Sequence, residues 1–327
     1  MARIKRGDTD LSLLLAAYKP DEVTSHDVVN EVRHIFGERR VGHAGTLDPF
    51  ATGVLPIMIG PATKLMQYFS NCRKEYVAEI CFGSSTDTHD LLGDVVEVSE
   101  VPEFLYDEKF AEEAISKFVG TIMQTPPIYS AIKIGGRRAY EIARGGKVAE
   151  LTAREVTIYR SELMSINTDN DSCRWKVVFE VSSGTYIRSI ARDIASLVNC
   201  PAHLTALIRT KVGGIELCDA LSLDDIARDG KSATIDPAVA LGLPIALLSS
   251  KQSSKVKNGL PIKSSEVILC KYDGYNHQPI EELGNDIHVM MANDEEIFAI
   301  YRLDLTEKLL IPTSVFHIGV KRGKPTN

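Results

Sequence analysis

Between Gly42 and Gly60 the chain reads GHAGTLDPFATGVLPIMIG, in which a single carboxylate, Asp48, sits in a Gly- and Thr-rich loop that runs into an apolar strand. A carboxylate in such a loop can be kept ionised by flanking backbone N–H groups and offered to a substrate. Taken alone, an Asp among Gly and Thr more often caps a turn, because its side chain bonds local N–H groups. The surrounding string argues for more. Gly42, Gly45 and Gly53 are backbone-permissive, Pro49 stiffens the bond after the acid, and the imidazole of His43 precedes it by five residues. Such a carboxylate can act as nucleophile or base on a sugar–base bond. A glycosidase-type hydrolysis would need a second, paired carboxylate; the loop has none, and Glu75 is the nearest rival.

The elements that must hold this loop are legible around it. Leu11 to Ala17 reads as a buried strand ended by Lys19-Pro20. A helix follows from an N-cap at Ser25, with Val28, Val29, Val32, Ile35 and Phe36 at helical spacing and Gly37 as its stop. After Arg39-Arg40 and the loop come a strand Val54–Ile59 and a short helix Ala62–Phe69. Glu75 to Phe82 is a largely buried strand opened by Tyr76. Gly93–Val98 is its returning hairpin arm, and Asp107–Val119 is an amphipathic helix. Gln124 to Gly146 is long and irregular, the kind of segment that binds something or is disordered. Arg174–Val181 is a strand, and SSGTYIRSIARDIA turns from it into a helix over Ile187–Val198. A further helix is expected over Leu221–Asp229. Beyond Pro244, short apolar runs (VKNGLPI, VILC, EIFAIYRL, SVFHIGV) suggest a small β-barrel or sandwich, so residues 1–246 and 247–327 are expected as separate domains.

Composition is that of a globular protein, with 44% apolar and 25% charged residues. The longest apolar opening run, Leu11 to Tyr18, is far shorter than the roughly 20 residues that span a bilayer, and no cleavage pattern follows it. A cytoplasmic address and no membrane partner are expected. Six cysteines without a CxxC pair fit reduced thiols rather than disulfides or zinc. The net charge of -7 opposes generic nucleic-acid binding, but charge is segregated. Arg33 to Lys74 holds six basic residues against two acids, and Tyr129 to Arg160 seven against three. Acids gather at Glu97–Glu113 and Glu281–Glu296. A basic face on an acidic body can still steer phosphates.

The Asp48 run resembles the catalytic signature of the TruB family of tRNA pseudouridine synthases. GTYIR, from Gly184 to Arg188, matches a second family segment, and QTPPIYSAIKIGGRRAYEIARGG is similar to a third. YKPDEVTSHDVV resembles the family opening, with Glu22 where glycine is usual. STDTHD, from Ser85 to Asp90, is similar to a family loop and reads as structural, with no metal role. The likeness runs from about Leu14 to about Leu217, and VKNGLPI is similar, more weakly, to the start of a PUA-like barrel.

The resemblance implies an α+β fold: a mixed, mainly antiparallel sheet flanked by helices, followed by a small PUA-like, RNA-binding β-barrel. It implies conversion of uridine-55 in the TΨC loop of tRNA to pseudouridine, with no cofactor, no metal and no guide RNA or obligatory protein partner, by a monomer. Asp48 is then the catalytic carboxylate, acting by attack at C1' or the ring or by proton removal on a glycal route, and Arg188 pairs with it, as a buried ionised Asp requires an opposite charge or several donors. His43 helps displace the target uridine, Tyr76 stacks on the extruded base, Tyr186 packs on base or ribose, and Leu207 lines the uracil pocket. Lys19, Arg39, Arg40, Lys64, Lys133, Arg137 and Arg138 are the candidate RNA contacts. A guide-RNA-dependent synthase, a non-catalytic tRNA-folding protein that retains the pocket, and a carbohydrate hydrolase remain as rivals. A role in tRNA folding beside catalysis also stays open.

Overall fold

The computed structural model describes residues 9–130, 151–168, 172–271, 284 and 286–326, together with the backbone of 133–134, 137–138, 169, 272 and 277–279. The chain forms two units, Met1–Cys72 with Lys211–Asn327, and Arg73–Thr210.

In the first unit β1 (Leu13–Lys19) is buried almost throughout, the pattern of a strand covered on both faces. Next comes α1 (Ser25–Phe36), whose N-cap is Thr24 rather than Ser25. Thr24 and Asp27 satisfy each other's backbone N–H groups in a capping box, which frees the Ser25 hydroxyl for another task. Gly37, at φ 62°, closes the helix as expected. Glu22 also adopts φ 62°, so the turn for which the family resemblance implies glycine is kept by a residue with a Cβ. β2 (Val41–His43) and β1 each pair antiparallel with β3 (Thr52–Ile59). Gly60 ends β3 at φ 63°, where a Cβ would lie 1.9 Å from the Leu11 carbonyl oxygen, so only glycine fits. In place of one short helix, a 3-10 turn over Gly60–Leu65 leads into α2 (Met66–Phe69).

The second unit opens with β4 (Lys74–Phe82). β5 (Ser84–Thr86) and β6 (Val95–Val98) form their own antiparallel ribbon, so the expected hairpin arm pairs with β5 and not with β4. Asp107 caps α3 (Glu108–Ser116), and β7 (Gly120–Gln124) follows. β8 (Lys133–Ile134) and β9 (Arg137–Arg138) pair with each other. Two long strands, β10 (Arg154–Asp169) and β11 (Ser172–Val181), precede α4 (Ile187–Val198), which has the limits read from the sequence, and β12 (Ala202–Val212). The sheet order is β12-β4-β11-β10-β7. The pairs β4/β11, β11/β10 and β10/β7 are antiparallel. Alternate residues of β11 are buried, among them Trp175, which packs edge-on against Phe82 at 4.6 Å and donates from its indole N–H to the Leu105 carbonyl.

The chain then returns to the first unit through β13 (Ile215–Glu216), α5 (Leu223–Asp229) and α6 (Pro237–Leu241). β14 (Ile245–Leu247), β15 (Ile262–Lys263), β16 (Leu269–Tyr272), β17 (His277–Pro279), β18 (His288–Ala292), β19 (Glu296–Asp304) and β20 (Leu309–Lys321) form a sheet in the order β15-β20-β19-β18-β14-β16-β17. The β14/β18 pair is parallel. Part of the run VKNGLPI is helical, since α7 (Ser250–Lys257) ends inside it and only Ile262–Lys263 is strand. Apolar side chains from these strands, including Met290, Ile300 and Phe316, share one core with Val54, Met58, Ala62, Tyr68 and Phe69. The Tyr68 hydroxyl reaches Ser314 at 2.9 Å across that core. The architecture is α+β.

Candidate functional site

In the first unit Asp48 is partly buried in the loop between β2 and β3. The backbone on both sides of it is gripped by buried side chains. Before it, the Ser25 hydroxyl accepts from Leu47 N–H at 2.9 Å and donates to the Leu47 carbonyl at 3.2 Å. After it, the Lys19 ammonium donates to the carbonyls of Pro49 at 2.9 Å and Ala51 at 2.6 Å, and to that of Pro20 at 2.8 Å. A turn closes between them, with Ala51 N–H bonding the Asp48 carbonyl at 3.0 Å. Holding residues 47, 49 and 51 this way fixes where the carboxylate starts from, which is what pre-organisation requires. His43 ends β2 opposite Ile57, so the imidazole and the acid flank the same short loop.

Lys19 corrects one expectation. Its side chain is 0% exposed, and an ammonium so enclosed answers to three carbonyls instead of a phosphate. It is a residue that positions the loop, not an RNA contact. Arg39 is exposed, Arg40 donates to the Thr63 hydroxyl at 3.0 Å, and exposed Lys64 reaches the Val315 carbonyl at 2.6 Å. For Lys133, Arg137 and Arg138 only the backbone of β8 and β9 belongs to the described residues; their side chains lie outside them.

The second unit carries Tyr76, Tyr186, Arg188 and Leu207. Tyr76 sits on the buried face of β4 opposite Phe179. Its neighbour Glu75, the rival acid, belongs to the alternate face, where it pairs with Arg160 at 2.6 Å and accepts from Thr210 at 2.8 Å. Tyr186 is the residue before α4, and the buried Gln124 side chain bonds both its N–H at 2.8 Å and its carbonyl at 3.1 Å. Arg188, in the first turn of α4, donates to the carbonyls of Thr88 at 3.0 Å and Tyr129 at 2.9 Å and forms an ion pair with Asp90. Leu207 is a buried residue of β12, and so is Arg209, which the sequence reading passed over.

The STDTHD loop therefore has a physical task. Asp90 accepts from the Thr88 hydroxyl at 2.6 Å and Leu92 N–H at 3.0 Å while facing Arg188. Asp87 holds Asp94 N–H at 3.0 Å and the Tyr129 hydroxyl at 3.2 Å. Between them His89 takes φ 59°, and its carbonyl accepts from Leu204 N–H at 3.1 Å, tying the loop to β12. Burial first, then Arg192 and Arg188, push the His89 imidazole below its usual pKa of 6.5. The loop ending at Asp90 reads as structural from its sequence, but its pairing with Arg188 joins residues far apart in the chain, and Gln124, an amide at a strand end, carries no periodic signal.

A family model described as TruB family pseudouridylate synthase (N terminal domain) matches residues 33–187. The tRNA pseudouridine synthase B of Mycobacterium ulcerans (strain Agy99) is 44% identical over 250 residues, covering 76% of this chain and 82% of the relative. That of Bacillus anthracis is 38% identical over 266 residues, covering 78% and 85%. Among solved structures, the crystal structure of the archaeal box H/ACA sRNP Nop10-Cbf5 complex contains a chain similar at a TM-score of 0.66 and 20% identity, over 93% of this chain and 86% of that one. That likeness establishes a shared fold. The chain belongs to the TruB family of pseudouridylate synthases.

Proposed function

We propose that this protein isomerises uridine-55 in the TΨC loop of tRNA to pseudouridine, with Asp48 as the catalytic carboxylate. The N1 glycosidic bond breaks, the uracil turns, C5 bonds the same sugar carbon, the C5 proton leaves and N1 gains one. The atoms balance without an oxidant, a nucleotide or a second substrate. The observation that carries this reading is the double grip of Ser25 and Lys19 on the backbone around Asp48, since a carboxylate that must meet one sugar–base bond needs a fixed origin. Extruding the target base costs a few kcal/mol, which His43 and Tyr76 offset by displacement and stacking. Tyr186, Arg188 and Leu207 bind the turned-out nucleotide. Arg39, Arg40, Lys64, Lys133, Arg137 and Arg138 serve the phosphates, and residues 247–327 form the PUA-like RNA-binding domain. The enzyme acts as a cytoplasmic monomer on tRNA, without a guide RNA or partner protein.

Mapping pseudouridine in an unmodified tRNA transcript incubated with the wild type and with Asp48→Asn tests the proposal. Product at the TΨC position from the wild type alone is expected. Undiminished product from the variant removes Asp48 from the chemistry, and release of free uracil makes the protein a hydrolase instead.

A further inference from the structure

We infer that Arg154 is a positioning residue that fixes the Tyr186 ring, acting with its cross-strand partner Gln124. The inference rests on the proposed role of Tyr186 in holding the target nucleotide.

Arg154 begins β10 and lies directly opposite Gln124, the last residue of β7. The two strand ends face the same short stretch, Gly184 to Tyr186, and divide the work of holding it. Gln124 is 0% exposed and spends both ends of its amide on the Tyr186 backbone, donor to carbonyl and acceptor to N–H. Arg154 takes the side chain. Its guanidinium carbon lies 5.0 Å from the centre of the Tyr186 ring, within cation–π range, while one of its N–H groups bonds the Gly184 carbonyl. Gly184 has φ 84°, and a Cβ there would touch the guanidinium at 3.6 Å, so the planar group lies over the turn as well as over the ring. The Nε of Arg154 is buried with no hydrogen-bond partner among the described residues. A guanidinium that lies over a ring while one of its N–H groups holds the neighbouring turn is placed for stacking. A ring whose backbone and one flank are both held has little freedom to leave its rotamer, and a stacking residue works only in one orientation.

This division also distinguishes Arg154 from the basic residues proposed to meet phosphates. A phosphate contact needs only positive charge, which lysine supplies. A clamp that stacks on a ring and bonds a carbonyl needs the flat, forked group, which lysine lacks.

The test is a double-substitution cycle with Tyr186, read by single-turnover pseudouridine formation on a tRNA transcript and by fluorine NMR of 3-fluorotyrosine placed at position 186. Arg154→Gln is expected to lower the rate about tenfold in the wild-type background and to change it by less than about twofold in a Tyr186→Leu background. Arg154→Lys should resemble Arg154→Gln. The fluorine line, single in the otherwise unsubstituted protein, should broaden or split in both variants, and this readout does not depend on turnover. Rescue by lysine, losses that multiply with Tyr186→Leu, or an unchanged fluorine line each overturn the inference. If the wild type makes no pseudouridine while the fluorine line still responds to Arg154, the functional reading fails and the clamp stands.

Discussion

Arg188 and Asp90 form an ion pair at 3.3 Å with side chains only 4% and 6% exposed. Two charges taken so far out of water are tolerated only as a pair with their remaining hydrogen-bonding groups met, and the Thr88 and Tyr129 carbonyls and the Leu92 N–H do part of that. Asp90→Asn keeps the shape and removes the charge of this carboxylate. It should destabilise the protein by about 3 kcal/mol, measured by urea unfolding, and should depress pseudouridine formation, because the guanidinium loses one of its anchors.

Lys19 should behave as part of the scaffold. Lys19→Met leaves the carbonyls of Pro20, Pro49 and Ala51 without this donor, so stability falls by about 2 kcal/mol or more and turnover falls with it. The salt dependence of tRNA binding should stay as in the wild type. Arg39→Gln, at an exposed position, should act on that salt dependence instead, reducing the log-log slope by about one. Filter binding over a salt series checks both.

Glu22 marks a position where a glycine should stabilise the chain. Its positive φ costs roughly 1 to 2 kcal/mol for a residue with a Cβ, and the side chain is exposed. Glu22→Gly removes that strain at some cost in chain entropy, so the melting temperature should rise slightly with turnover unchanged. A lower melting temperature would show that the bond from its N–H to the Asp21 carboxylate, at 2.7 Å, depends on the glutamate.

His89 gives stability a pH dependence. Its folded pKa lies below the ordinary 6.5 of a histidine, so the unfolded chain binds the proton more readily. The contribution is present in full above 6.5 and is lost as pH falls from there through the lower folded value. His89→Asn tolerates the positive φ and does not titrate. Denaturant midpoints followed downward from neutral pH should fall less steeply for this variant than for the wild type.

Much of this was legible in the residues. Buried helices with a strong apolar period, such as Ile187–Val198, and apolar runs such as Val54–Ile59 carry a pattern strong enough to place them. The strand Arg154–Asp169 was not seen, because REVTIYRSELMSINTD alternates polar and apolar groups only loosely and is pinned by its neighbours in the sheet. The helix Ser250–Lys257 was hidden because Val256 is its one buried residue. In the site, the Asp48 loop announced itself through its glycines. What holds it did not: that Lys19 faces inward, and that Ser25 spends its hydroxyl on Leu47 while Thr24 caps the helix, depend on residues distant in sequence.

The core joining Met58, Ala62, Tyr68 and Phe69 to Met290, Ile300 and Phe316 makes the C-terminal strands a foundation and not a trailer. A polypeptide stopped at Pro244 would wet the underside of β3 and α2, the footing of the run that ends at Gly60. Grafting a foreign barrel in their place would demand re-carving that seam, so the two ends of the chain are bound to change together.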